Sequence, residues 1–468
     1  MKLVYNVNDK PPVSKLIISA FQQLLAILAA TIAVPAIING GMPEGLDAQM
    51  SSSAALFGAG VGTLVYQLFT RFKSPVFLGS SFAFLGSMAA AFAGAATASI
   101  GFLGLILGAI LAGLVYVILA VIVKKVGVEW INKMMPPVVI GPTVAIIGLS
   151  LASNAVCDAV GRMAQDASGN FIMTTSGILS LICALVTLLT IILCSVFGKK
   201  SVRLFPFVIG ILAGYAVATY FTWIGFATGN TAMQLIDFSQ FYNMKWYPEF
   251  TFIEAFFSVP LDFGEGSFWS YFGTIAVAYV PVAFVVFAEH IADHKNLSSI
   301  IEKDLLSDPG LSNTLLGDGV GSIVGAIFGG CPNTTYGESV GCVAITGNAS
   351  VRSITLTAFI AILSSFVAPF VTFLATIPPC VMGGVCIALY GFIACSGLKM
   401  IQKVDLNDNA NLFVVCVILI CGVGGLSLSF GKITITAVAC SLILGIIINS
   451  LLSAGKHKSN QDELSKNE

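Results

Sequence analysis

Apolar stretches of membrane length follow one another along almost the whole chain. A bilayer crossing needs roughly 20 mainly apolar residues. By that measure the pattern predicts spans near 15–38, 50–70, 76–97, 100–123, 136–153, 174–197, 204–226, 270–293, 311–329, 331–349, 353–376, 379–397, 411–428 and 433–452. The expected fold class is an all-α polytopic membrane protein of fourteen transmembrane spans. A long, mostly polar stretch, 227–251, follows the seventh span. Seven is odd, so the second half enters the membrane with the opposite orientation. That is the arithmetic of a 7+7 inverted repeat, a common plan of secondary transporters.

Two spans interrupt the apolar pattern at corresponding places. The third carries Gly79-Ser80-Ser81-Phe82-Ala83-Phe84, and the tenth carries Cys331 to Gly337. Small residues alone would be read as close helix packing. Matched interruptions instead point to a transporter's binding site. Where a helix breaks, backbone N–H groups lose their partners and become available to a ligand. The breaks are expected at Phe82 and Gly337.

Composition makes the bilayer the solvent. The chain is 57% hydrophobic and 10% charged, with mean hydropathy +0.94, against about 25% charged in soluble domains. The amino end, Met1 to Lys15, is polar and leads into a full-length apolar run, so no cleaved signal peptide is expected. The eleven Cys are scattered without C-x-x-C spacing. They are read as small core residues, with no disulfide framework and no metal site. Net charge is −1, and no nucleic-acid partner is expected.

Charge distribution tests the span count through the positive-inside rule. With both termini cytoplasmic, only Arg162, Lys245 and Lys432 fall outside, and the other 19 of the 22 basic residues fall inside. Deleting the polar tenth span flips every later loop and weakens the split to 14 against 8. The tenth span is therefore read as a crossing that lines a cavity or is buried in protein.

Carboxylates at membrane depth carry the candidate chemistry. A charge there costs at least ~2.5–3.5 kcal/mol. Glu289 and Asp293 are four apart and share a helix face. Two neighbouring carboxylates resist ionising together, so one could carry a proton; Asp293 could equally be a solvated helix end beside Lys295. Glu338 follows the proposed break, where it could accept two N–H bonds from one planar ligand or cap a helix start. Asp318 in the ninth span could hold the tenth through its backbone, or join a proton path. Gln23 in the first span could reach ligand or only a neighbouring helix. Phe82 and Tyr336 could stack on a flat ring. No phosphate loop, nucleophile elbow or metal-ligand cluster is evident, so an enzyme is not expected.

Several of these segments resemble the nucleobase–ascorbate transporter (nucleobase:cation symporter-2) family, and within it the bacterial uracil permeases. The matching text is Ala288-Glu289-His290-Ile291, Asp304 to Leu311, Pro332-Asn333-Thr334-Thr335-Tyr336-Gly337-Glu338, and Gly341 to Thr346. Gly79 to Phe84 and Pro378 to Val385 also look like family segments. The resemblance runs from about residue 15 to 452. It implies a core domain of spans 1–4 and 8–11 (15–125 and 270–376). It implies a gate domain of spans 5–7 and 12–14 (136–226 and 379–453) that forms a homodimer. Flanking these are a cytoplasmic tail 1–14, an extracellular connection 227–269 and a tail 454–468. Short strands in spans three and ten would meet at the substrate. Glu289 and Glu338 would accept ring N–H groups, backbone N–H groups at Phe82 and Gly337 would meet carbonyl oxygens, and Tyr336 and Ala30 would shape the pocket. The implied activity is uracil import with proton symport into a bacterial cell, with no cofactor beyond the co-transported proton.

Uracil suits such a site, because it is flat, neutral, and alternates N–H donors with C=O acceptors. A site answering both rejects analogues that leave its polar groups unpaired. Departures bear on this. Uracil permeases often carry His where Gln23 stands, and some carry His where Asp293 stands. Ser339 replaces a common Asn, and Gly347 stands where several purine members also have Gly. Glu338 favours uracil, since purine members more often carry Gln there. The alternative is a xanthine or uric acid symporter on the same scaffold. An anion exchanger or channel is disfavoured, because its site would need positive charge where this chain has Glu.

Overall fold

The computed structural model describes residues 3–43, 45–127, 130, 136–163, 168, 170–199, 202–204, 206–258, 260–264, 267–430 and 433–464. Lys2, Lys133, Lys200, Lys432 and Lys466 of the charge count lie outside the described residues, as does the end of the tail 454–468.

Long apolar runs become helices in the expected order. They are α1 (Val13–Gly40), α2 (Ser52–Phe69), α3 (Leu85–Ala93), α4 (Ala98–Val126), α5 (Pro137–Ser150), α6 (Thr175–Phe197) and α7 (Pro206–Thr228). After the polar connection come α8 (Phe268–Ile301), α9 (Leu311–Gly329), α10 (Gly337–Thr346), α11 (Val351–Ser364), α12 (Pro379–Ile401), α13 (Asn409–Val423) and α14 (Ala437–Leu464). Local chemistry sets several starts. Ser51, Thr97, Thr174 and Ser267 each accept a first-turn N–H through the side-chain oxygen, the usual way to satisfy a helix's unpaired donors.

Among the described residues, nine helices are long and apolar enough to cross a membrane. A tenth crossing results if α11 and the helix Ala368–Ala375 are one span, although they are bent by 84°. The expected single span 353–376 is thus broken. Pro369 lies in the first turn of the second helix; it has no N–H to donate and disfavours helix in the residue before it. The thirteenth expected span also ends early. Gly425 takes φ 74°, and a two-stranded hairpin, Leu428–Phe430 with Ile433–Ile435, comes next. The third and tenth stretches form shorter helices because each begins as a strand, β1 (Leu78–Ser80) and β2 (Asn333–Thr335).

Packing shows an internal repeat. Helices seven apart exchange roles: α4 packs on α8 and on α9, and α11 packs on α1 and on α2. Likewise α6 with α7 and with α12 is answered by α13 with α14 and with α5. α2 packs on α9 and α5 on α12, each pair being its own counterpart. Close approach explains the glycines here. A side chain at Gly58 would run into the Gly325 carbonyl, and one at Gly397 into the backbone of Ala145.

The amino-terminal segment is bound rather than free. Val4 and Tyr5 donate their N–H groups to the Gly347 carbonyl at 2.8 and 3.2 Å. Ala349 and Val351 donate to the carbonyls of Tyr5 and Val7 at 2.9 and 3.1 Å. Val7 is buried in one cluster with Val340 and Val343 of α10.

Candidate substrate site at the meeting of β1 and β2

Each strand is only three residues long, so neither could persist alone. They pair antiparallel with each other, Leu78 opposite Thr335, Gly79 opposite Thr334 and Ser80 opposite Asn333. Ser81 extends the ladder by donating to the Pro332 carbonyl at 2.9 Å. Side chains from the flanking helices fix the pair. Thr63 of α2 accepts from the Leu78 N–H at 2.9 Å, and Asn333 donates to the Gly58 carbonyl at 3.1 Å. Gly79 lets the Tyr336 ring approach the strand closely, since a Cβ there would stand 2.3 Å from two ring atoms. The Tyr336 hydroxyl donates to the Ser80 carbonyl at 3.0 Å.

Helical chain leaves the strands on both sides. After β1, Phe82–Phe84 form a 3-10 turn that leads into α3. After β2, α10 begins at Gly337, with Tyr336 as its N-terminal cap and no side-chain cap bond. Gly337 is exposed, and a Cβ built there meets no heavy atom within 4 Å. The amino end of α10 therefore presents backbone N–H groups to open space, where the helix dipole favours negative charge or acceptor oxygens. Glu338 sits in that first turn, half-buried.

The other predicted site residues approach from α1, α8 and α9. Gln23 donates through its side-chain amide to Ser339 of α10, and the Ser339 hydroxyl also accepts the Phe77 N–H at 3.3 Å. Ala30 lies two turns on from Gln23, so it shares that face of α1, and it is buried. On α8, Glu289 and Asp293 are half-buried. Glu289 lies one turn before Asp293 on the same face of α8, the helix that packs on α10. Asp293 accepts a 2.7 Å bond from Thr335 of β2, so it faces the strand pair and not the solvated helix end beside Lys295. Phe82 is buried, edge-on to Tyr390 of α12 at 5.8 Å.

Asp318 departs from the expectation that it holds the tenth span. Its Oδ2 pairs with His290 Nδ1 at 2.6 Å, and His290 Nε2 meets the Thr314 hydroxyl at 3.0 Å. The reason is facing: α9 packs along α2 and α4, and His290, one residue past Glu289, points to α9. His290, Thr335 and Ser339 stand in segments that sequence reasoning quoted without giving them a site role, and Tyr390 was missed. For His290 a signal existed, as a histidine in an apolar run beside a candidate carboxylate. For Tyr390 there was none, because only the packing of α12 brings it near Phe82. Among the described residues no group of three or more His, Cys, Asp or Glu is arranged to hold a metal ion.

With this arrangement in hand, comparison with known proteins decides the class. The profile of the permease family matches residues 14–430. The chain belongs to that permease family. It is 37% identical to the uracil permease of Bacillus caldolyticus, over 96% of this chain and 95% of that one. It is 35% identical to the uracil permease of Bacillus subtilis (strain 168), over 98% and 97% of the two chains. In fold it is similar to the transmembrane domain of a cyanobacterium bicarbonate transporter, BicA. The TM-score is 0.61 at 13% identity, covering 95% of this chain and 99% of that one. The permease is a multi-pass membrane transporter and not an enzyme.

Proposed function

We propose that this permease imports uracil together with a proton, binding the base between α8 and the paired breaks at β1 and β2. The observation that carries the proposal is Glu338 in the first turn of α10, beside the open space at Gly337, with the carboxylate face of α8 bonded through Asp293 to Thr335 of β2. Uracil's N–H groups meet the carboxylates of Glu289 and Glu338. Its carbonyl oxygens meet the backbone N–H groups at Phe82 and Gly337. Tyr336, Ala30 and Gln23 shape the surroundings. The relatives named uracil permeases support this substrate.

A neutral base gains nothing from membrane potential, so a co-transported cation must supply the drive. Glu289, with Asp293 and Asp318 nearby, is the proposed carrier of the proton. Alternating access arises from rocking of a core (15–125, 270–376) against a gate (136–226, 379–453), the gate pairing two copies. Both termini face the cytoplasm of a bacterial cell, and the connection 227–269 faces outward.

The test is radiolabelled uracil binding to purified protein and uptake into energised vesicles. Glu338→Ala abolishes binding while the protein keeps its fold; wild-type affinity in that variant removes Glu338 from the site. Glu289→Gln stops or uncouples uptake; unchanged accumulation under an imposed pH gradient removes Glu289 from the coupling.

A further inference from the structure

A second place in the molecule has the chemistry of a ligand site. A cleft of about 570 Å³ lies between the amino-terminal segment, the end of α2 and the start of α11. Arg71 and Arg352 both line it, with no acidic side chain among the described lining residues. Among the described residues neither arginine makes an ion pair. Two guanidinium groups lining one cleft without a carboxylate repel one another, and an anion held there relieves the repulsion. Their paired N–H groups match the oxygens of a phosphate or a carboxylate bidentately, and the apolar track beyond them favours the phosphate of a lipid.

The cleft is also built. Arg71 and Phe72 take φ 53° and 54°, a conformation that side-chain-bearing residues rarely adopt. Two such residues in succession turn the chain sharply at the end of α2. The α2–α11 contact is fixed by Thr355 of the cleft, which donates to Gln67 at 2.7 Å. The buried Gln67 amide nitrogen has no partner among the described residues. Val7 and Asn8 close the remaining wall, held by the backbone bonds of their segment to 347–351.

Beyond the arginines the surface is apolar and open. Phe72 is 44% exposed, Phe359 50% and Leu363 68%. Phe359 and Leu363 are four apart on α11, so they form one outward ridge that starts about two turns beyond Arg352. A phosphate at the arginines would have a hydrocarbon track leading away from it. A free phosphate would use only the first half of this surface.

We propose that the cleft binds the headgroup of an anionic phospholipid, with the phosphate between Arg71 and Arg352 and an acyl chain along Phe359 and Leu363. The lipid then bridges α2, α11 and the amino-terminal segment. That segment is bonded to the 347–351 stretch at the far end of α10, the helix whose first turn holds Glu338.

The experiment measures lipid retention by the purified full-length protein with native mass spectrometry. Phosphatidylglycerol, phosphatidylcholine and inorganic phosphate are the three probes. Wild type retains phosphatidylglycerol, retains phosphatidylcholine at least tenfold more weakly, and does not release the former to inorganic phosphate. Arg71→Gln/Arg352→Gln lowers phosphatidylglycerol affinity at least tenfold, whereas Lys399→Gln, at an exposed cation remote in sequence, leaves it unchanged. If the double variant does not fold, Arg352→Gln alone carries the test with at least a threefold loss. Equal retention by the arginine variants, or an equal loss in Lys399→Gln, overturns the proposal. Displacement by inorganic phosphate overturns the lipid assignment and leaves a free-anion site.

Discussion

Gly337→Ala separates the substrate site from the scaffold. The residue opens α10 and lacks the left-handed φ that would penalise a side chain. A Cβ there meets no heavy atom within 4 Å. The fold should therefore accept the methyl group, and helix propensity favours alanine over glycine by up to about 1 kcal/mol. If uracil lies against this helix end, the same methyl group occupies its space. Forcing a methyl group into a filled site costs about 1–3 kcal/mol, roughly a 5- to 150-fold loss of affinity. Gly79→Ala is the reverse case. Its Cβ would stand 2.3 Å from the Tyr336 ring, which is held by burial and by its bond to Ser80. Overpacking of about 1–3 kcal/mol plus a lost hydrogen bond of about 0.5–1.5 kcal/mol should lower the melting temperature. Thermal melts report the fold, and equilibrium binding of labelled uracil reports the site. A Gly337→Ala protein that melts like wild type and binds uracil with unchanged affinity would refute the assignment of this space to the substrate.

Other outcomes rest on single bonds. Asp318→Ala leaves His290 without its partner in a buried site and should destabilise the protein by about 1–3 kcal/mol; an unchanged melting midpoint contradicts this. Thr335→Val keeps the shape but removes the donor to Asp293. It should alter the pH dependence of uptake more than uracil affinity, and identical pH profiles would separate Asp293 from proton coupling. Asn333→Ala breaks the bond to the Gly58 carbonyl and should lower stability by about 1–3 kcal/mol, read from melts in detergent. Wild-type melting there would mean that the strand pair does not rest on that side chain.

Much of the architecture was already legible in the one-dimensional pattern. Runs of about 20 apolar residues can only be helices in a bilayer, because lipid offers backbone groups no other partner. The matched interruptions at Gly79 to Phe84 and Cys331 to Gly337 marked where the two helices break, and the family resemblance implied that strands form there. Glu289 and Glu338 stood out because charge at membrane depth is costly. Other features needed tertiary structure. The pairing of Asp318 with His290, and of Asp293 with Thr335, depends on how α8 rotates against its neighbours, which periodicity leaves open. The break after α11 depended on a proline that many membrane helices absorb. The docking of Val4–Val7 onto 347–351, and the arginine cleft beside it, join residues more than 250 positions apart. Sequence sets which groups cannot remain in lipid, whereas packing chooses the partner that receives each of them, because several polar neighbours could satisfy the same requirement and only one is within reach.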